Sequence, residues 1–86
     1  MNATVAVTGG TGFIGRHILA SLLSRGFTVR ALTRSPRHDS SPQLTWIQGS
    51  LEDRNALAEL VKGARCIVHG AGQVRGHNED IFIQCN

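Results

Sequence analysis

Thr8-Gly9-Gly10-Thr11-Gly12-Phe13-Ile14-Gly15 follows the apolar run Ala3 to Val7 and opens an amphipathic stretch. A short buried strand, a glycine turn and a helix start, in that order, describe a place where a diphosphate sits on a helix N-terminus. Unpaired backbone N–H groups and the positive end of the helix dipole gather there, so an anion gains hydrogen bonds and Coulomb energy together. A β-carbon would block the approach. Gly9 or Gly10 lets the chain turn sharply after the strand, Gly12 lets phosphates come close to the backbone, and Gly15 lets the helix pack tightly on the sheet. The glycines fit two frames, G-x-x-G-x-x-G from Gly9 and G-x-G-x-x-G from Gly10, and spacing alone does not choose between them.

Outward from this turn the chain alternates strand and helix signals. Residues 13 to 25 carry Ile14, Ile18 and Leu22 at four-residue spacing, with Leu19 and Leu23 widening the apolar face, and Gly26 is placed to stop the helix. Phe27 to Thr33 reads as a second strand. Both prolines and three serines fall in Ser35 to Pro42, a surface loop rather than a domain linker. Leu44 to Gln48 reads as a third strand; Asp53 then caps a helix carrying Leu57, Leu60 and Val61, which Gly63 ends. Ala64 to His69 reads as a fourth strand and Gly70 to His77 as a glycine-rich loop. Asn78 is placed to cap a last helix still running at Asn86. Such alternation predicts an α/β fold, a Rossmann-type parallel sheet with right-handed crossovers, whose ligand lies at the carboxyl ends of the strands.

Composition narrows the field. Residues 1–86 make one small domain, 41% apolar and 17% charged, as in globular chains. No run approaches the roughly 18 apolar residues that a membrane span needs, so no membrane partner is expected. Met1 to Val5 goes straight into strand with no signal-like segment, and a cytoplasmic location is the expectation. The net charge is +3 and the pI near 9.7. The basic residues are spread without interleaved aromatics, which favours small anionic ligands over nucleic acid. Cys66 and Cys85 show no metal spacing and read as two buried free thiols. His17, His38, His69 and His77 are scattered and read as ordinary surface or packing residues, and no metal site is expected.

Taken together, TGGTGFIG after the first strand, LTR (Leu32 to Arg34) closing the second, QGSLED after the third and VHGAGQ at the fourth resemble the extended short-chain dehydrogenase/reductase superfamily. Its members include NAD(P)-dependent sugar epimerases, dehydratases and dihydroflavonol-type reductases. The resemblance implies that Gly9, Thr11, Gly12, Phe13 and Ile14 line the diphosphate with Gly15 behind them. It also implies that Ser50 and Leu51 flank the adenine, and that Gly70, Ala71 and Gly72 let the riboses lie against the sheet. In the family an aspartate stands where this chain has Ser50, so here the charge is gone and a hydroxyl remains to accept from the adenine amino group.

Arg34 separates the two nicotinamide cofactors. An acid about 20 positions after the glycine turn would bind the ribose 2′-hydroxyl, whereas an arginine accommodates a 2′-phosphate. Arg34 stands at that distance with Arg37 close behind and no acid between Phe27 and His38, which points to NADP, with NAD as the lesser partner.

The resemblance also implies a Tyr-x-x-x-Lys pair, the tyrosine as acid/base. The chain holds no tyrosine, and its single lysine, Lys62, ends a surface helix. No catalytic residue is therefore assigned, and Glu52-Asp53 reads as helix N-terminal charge. Two readings stay open: an oxidoreductase, epimerase or dehydratase whose catalytic and substrate-binding residues lie downstream of Asn86, or a non-catalytic dinucleotide-binding module such as a redox-sensing regulator or accessory subunit. A parallel sheet that ends on its fourth strand leaves an open edge, so self-association is expected.

Overall fold

The computed structural model describes residues 3–9, 12–71 and 80–85. They form strands β1 (Thr4–Thr8), β2 (Thr28–Thr33), β3 (Leu44–Gln48), β4 (Cys66–Ala71) and β5 (Asp80–Cys85), with helices α1 (Phe13–Ser24) and α2 (Arg54–Val61). One sheet holds all five strands in the order β3-β2-β1-β4-β5. The first four run parallel, β1 pairing with both β2 and β4. This is the α/β, Rossmann-type arrangement that the alternation predicts.

Period-two alternation divides the core between the two faces of the sheet. Val5, Val7, Val29, Ala31, Leu44 and Val68 meet Leu19 of α1, with Ile18, Leu22 and Leu23 at its margin. Ala6 and Leu32 face the other way and meet Ala56 and Leu60 of α2. Ala56 and Leu60 are the buried residues of α2, and Val61 is 39% exposed. Both helix ends follow from their residues. Gly26 at φ +89° closes α1 in a Schellman motif, its N–H donating to the Leu23 carbonyl and that of Phe27 to the Leu22 carbonyl. The Asp53 carboxylate accepts the Ala56 N–H at 3.0 Å and caps α2, which bears out its reading as a helix N-terminal residue.

The last segment departs from expectation. Instead of a helix, residues 80–85 form β5, antiparallel to β4 with Cys66 opposite Cys85 and Val68 opposite Ile83. Ile81-Phe82-Ile83 is a β-branched and aromatic run suited to a pleated surface, and the outer edge of β4 offers it a row of unpaired backbone groups. The capping role given to Asn78 lies outside the described residues. The open edge expected at β4 is therefore paired, and the sheet is bounded by β3 and β5.

This pairing also corrects the reading of the cysteines as free thiols: Cys66 and Cys85 are joined in a disulfide. A helical reading of 80–85 could not bring them together, whereas an antiparallel strand sets them face to face. The bond closes a loop with sequence separation 19, and chain entropy assigns such a loop about 3 kcal/mol. Reduction, or Cys85→Ser, is expected to lower the melting temperature accordingly. Melting curves with and without a dithiol reductant check this, and superimposable curves would count against it.

Candidate functional site

The carboxyl ends of β1, β2 and β4 and the loop after β3 open into one cleft of about 690 Å³. Its wall under the glycine turn is backbone. Gly9 has φ +76°, and a Cβ there would stand 2.2 Å from the Gly70 carbonyl oxygen. Gly70 is nearly as confined, its own Cβ position lying 3.2 Å from the Thr8 carbonyl oxygen. The sharp turn left open between Gly9 and Gly10 therefore needs its glycine at Gly9; Gly10 lies outside the described residues.

Gly12 is different in kind. It is the exposed N-cap of α1, its N–H donates to the Gly9 carbonyl at 3.1 Å, and no side chain caps the helix. Among the described residues, a Cβ on Gly12 would meet only the Gly9 carbonyl oxygen, at 3.5 Å. The first-turn N–H groups of α1 have no intrahelical acceptor. These are the features that an anionic group seated on a helix N-terminus requires.

Of the residues expected to hold cofactor, Gly9, Gly12, Arg34, Ser50, Leu51 and Gly70 line this cleft. Gly15 is buried behind it in α1. Phe13 and Ile14 supply the first two residues of α1, and Ala71 ends β4. Thr11 and Gly72 lie outside the described residues. The Ser50 hydroxyl accepts the Glu52 N–H at 3.3 Å, so one of its lone pairs is used within the loop.

Six further lining residues carried no site role in the sequence reading: Thr8, Leu32, Thr33, Ser35, Gly49 and His69. Thr8 and His69, read as strand and as an ordinary histidine, stand opposite each other on adjacent parallel strands and are hydrogen-bonded through Thr8 Oγ1 and His69 Nδ1. Thr33 is buried at the end of β2 and donates to the Ser35 carbonyl at 2.8 Å. The signal that finds them is positional: each is at or beside the carboxyl end of a parallel strand, the edge at which such sheets bind ligands.

Two arginines give the cleft its charge, Arg34 directly after β2 and Arg37 in the following loop. Arg34 also lines a neighbouring recess of about 490 Å³ with Gln48, Gly49, Ser50 and Asp53. Arg37 is paired to Asp39 and lies over the Trp46 ring. The hydrogen bonds from Arg37 hold the Asp39 carboxyl below its usual range, desolvation opposes them, and the charge of Arg37 reinforces them.

Comparison with known proteins gives a consistent result. The profile of the NAD dependent epimerase/dehydratase family matches residues 5–82. Sterol-4-alpha-carboxylate 3-dehydrogenase, decarboxylating, from Dictyostelium discoideum is 35% identical over 80 residues, 90% of this chain and 24% of that enzyme. A variant of uronate dehydrogenase from Agrobacterium tumefaciens, solved in complex with NAD, superposes with a TM-score of 0.72 at 30% identity, covering 88% of this chain and 29% of that one. Vestitone reductase from alfalfa gives a TM-score of 0.71 at 32% identity, with coverages of 85% and 26%. The chain thus spans about a quarter of the length of the relatives it matches.

Proposed function

The chain belongs to the NAD dependent epimerase/dehydratase family, and from that premise we propose that it is the dinucleotide-binding region of an extended short-chain dehydrogenase/reductase, with NADP preferred over NAD. In this reading the first turn of α1 and the backbone of Gly9 and Gly12 receive the diphosphate. Ser50 and Leu51 flank the adenine, and Gly70 and Ala71 keep the strand end flat beneath the riboses; Thr11, Phe13, Ile14 and Gly72 complete the phosphate and ribose contacts. The cofactor's nicotinamide supplies hydride transfer when bound. This chain's own residues bind and orient the cofactor.

The observation that carries the NADP preference is the pair of cations at the end of β2, where an acid would be needed for a free 2′-hydroxyl. Arg34→Ala is expected to weaken NADP binding by about 1 to 3 kcal/mol through lost charge-assisted hydrogen bonds. NAD binding should hardly move. Calorimetric titration with both cofactors decides, and equal affinities in the unmutated chain would overturn the preference.

Catalysis in this reading belongs to an acid/base group outside residues 1–86, since these hold no tyrosine. The 86-residue chain is expected to bind cofactor without turnover, which a steady-state assay at saturating NADP checks. Substrate, a small molecule, would be bound by that same further region. A binding module without catalysis is the second reading; a tyrosine followed four positions later by a lysine beyond Asn86 would exclude it, and the lack of such a pair there would favour it.

A cytoplasmic setting goes with the proposal. Reducing conditions there would open the Cys66–Cys85 bond and leave β5 held by its ladder alone. Self-association goes with it too, now through the edge of β5, where Ile83 is 68% exposed. Sedimentation across a concentration range checks this, and a monomer at high concentration would overturn it.

A further inference from the structure

Two neighbours hold Arg37. Its Nε donates to Asp39 Oδ1 at 3.2 Å and its Nη2 to Asp39 Oδ2 at 2.9 Å. Its guanidinium carbon lies 4.5 Å from the centroid of the Trp46 ring. Two of the three guanidinium nitrogens are thus committed to one carboxylate while a face is committed to the indole. Among the described residues, no acceptor is bonded to Nη1. Arg37 lines the cleft, and Asp39 is not among its lining residues.

That arrangement bears on the cofactor. A guanidinium already bonded to a carboxylate offers a second anion less net charge and fewer donors than a free one. The pair is also solvent-accessible, its side chains 33% and 56% exposed, and exposed pairs are weak enough for a competing anion to displace. Trp46 limits where the guanidinium goes when released, because stacking on an aromatic face is itself favourable.

We propose that Asp39 is a specificity-determining residue acting through Arg37: its carboxylate withholds part of that guanidinium from a ribose 2′-phosphate and so narrows the preference for NADP over NAD. The inference rests on the reading that the rim at Arg34 and Arg37 faces the 2′-position. Asp39 is a positioning residue here, since the ligand meets Arg37 and not the carboxylate.

Calorimetric titration of the 86-residue chain and its variants with NADP and NAD tests it. Asp39→Asn is expected to tighten NADP binding roughly twofold to fivefold and leave NAD unchanged. Asp39→Glu, which keeps the carboxylate, should restore the original ratio of affinities. Adding Arg37→Ala to Asp39→Asn should cancel the gain. A gain equal for both cofactors, or one that survives removal of Arg37, would overturn the proposal. An unmoved ratio in Asp39→Asn, with NADP binding still lost in Arg34→Ala, would overturn the role of Asp39 and leave the reading of Arg34 standing. A shifted ratio in Asp39→Asn, with equal affinities in the unmutated chain, would do the reverse.

Discussion

Gly12→Val is expected to abolish dinucleotide binding while the chain keeps its fold. Gly12 lines the cleft, and among the described residues a Cβ there would touch only the Gly9 carbonyl oxygen, at ordinary contact distance. The described fold therefore accommodates a β-carbon at this position, whereas the added atoms occupy the space that the diphosphate needs. Losing two or so charge-assisted hydrogen bonds at a helix N-terminus costs about 4 kcal/mol, roughly a thousandfold in affinity. The melting temperature without cofactor should move by only a few degrees, while the upward shift that cofactor gives the unmutated chain should vanish. Retained binding in Gly12→Val would mean that the glycine turn holds no phosphate.

Gly9→Val should fail in the opposite manner. Two penalties coincide at this residue: a left-handed backbone that a β-branched side chain adopts only under strain, and a Cβ driven to 2.2 Å from the Gly70 carbonyl oxygen. Strain and overpacking each cost about 1 to 3 kcal/mol. A combined loss of about 4 kcal/mol lowers the melting temperature of a domain this size by about 15 °C or more. Gly63→Ala separates the two penalties. Gly63 shares the left-handed backbone, at φ +70°, but among the described residues a Cβ there meets only the Arg30 side chain, at 3.9 Å, so it should lose only about 1 to 2 kcal/mol. Equal melting losses at Gly9 and Gly63 would count against the close approach of Gly9 to β4.

These contrasts show which parts of the molecule can be read from sequence. The first four strands and both helices are legible because each signal is local: a period of two or near four, then a glycine or an aspartate where a backbone group needs a turn or a cap. Gly26 and Asp53 do in the structure what their neighbours in sequence imply. Residues 80–85 are not legible in this way. Ile81, Phe82 and Ile83 satisfy helix and strand alike over so short a run, and the decision comes from the unpaired edge of β4, a tertiary fact. The disulfide is hidden for the same reason, since it depends on a register between strands. At the site, glycines and arginines announce themselves by type and spacing. Thr8, Thr33 and His69 do not, because residues of those types are ordinary anywhere else and acquire a position only when the strand ends line up. The Arg37–Asp39 pair is the subtler case: adjacent enough in sequence to be seen, but with an effect on charge that follows only once Arg37 is seen to line the cleft while paired to Asp39.

The contact between Gly9 and Gly70 has a consequence for the order of assembly. The turn proposed to receive a phosphate leaves a ribosome well before the carbonyl against which it closes, which belongs to a strand some sixty residues later. Closing so long a loop is slow compared with forming α1 or α2. The nascent turn therefore lacks its wall until β4 docks beside β1, and a shortened chain ending before Cys66 has the complete glycine signature and no site. Cofactor retention is thus a reporter of completed sheet assembly: a pulse of labelled dinucleotide during refolding should be captured only in the phase in which the amides of β4 become protected from exchange.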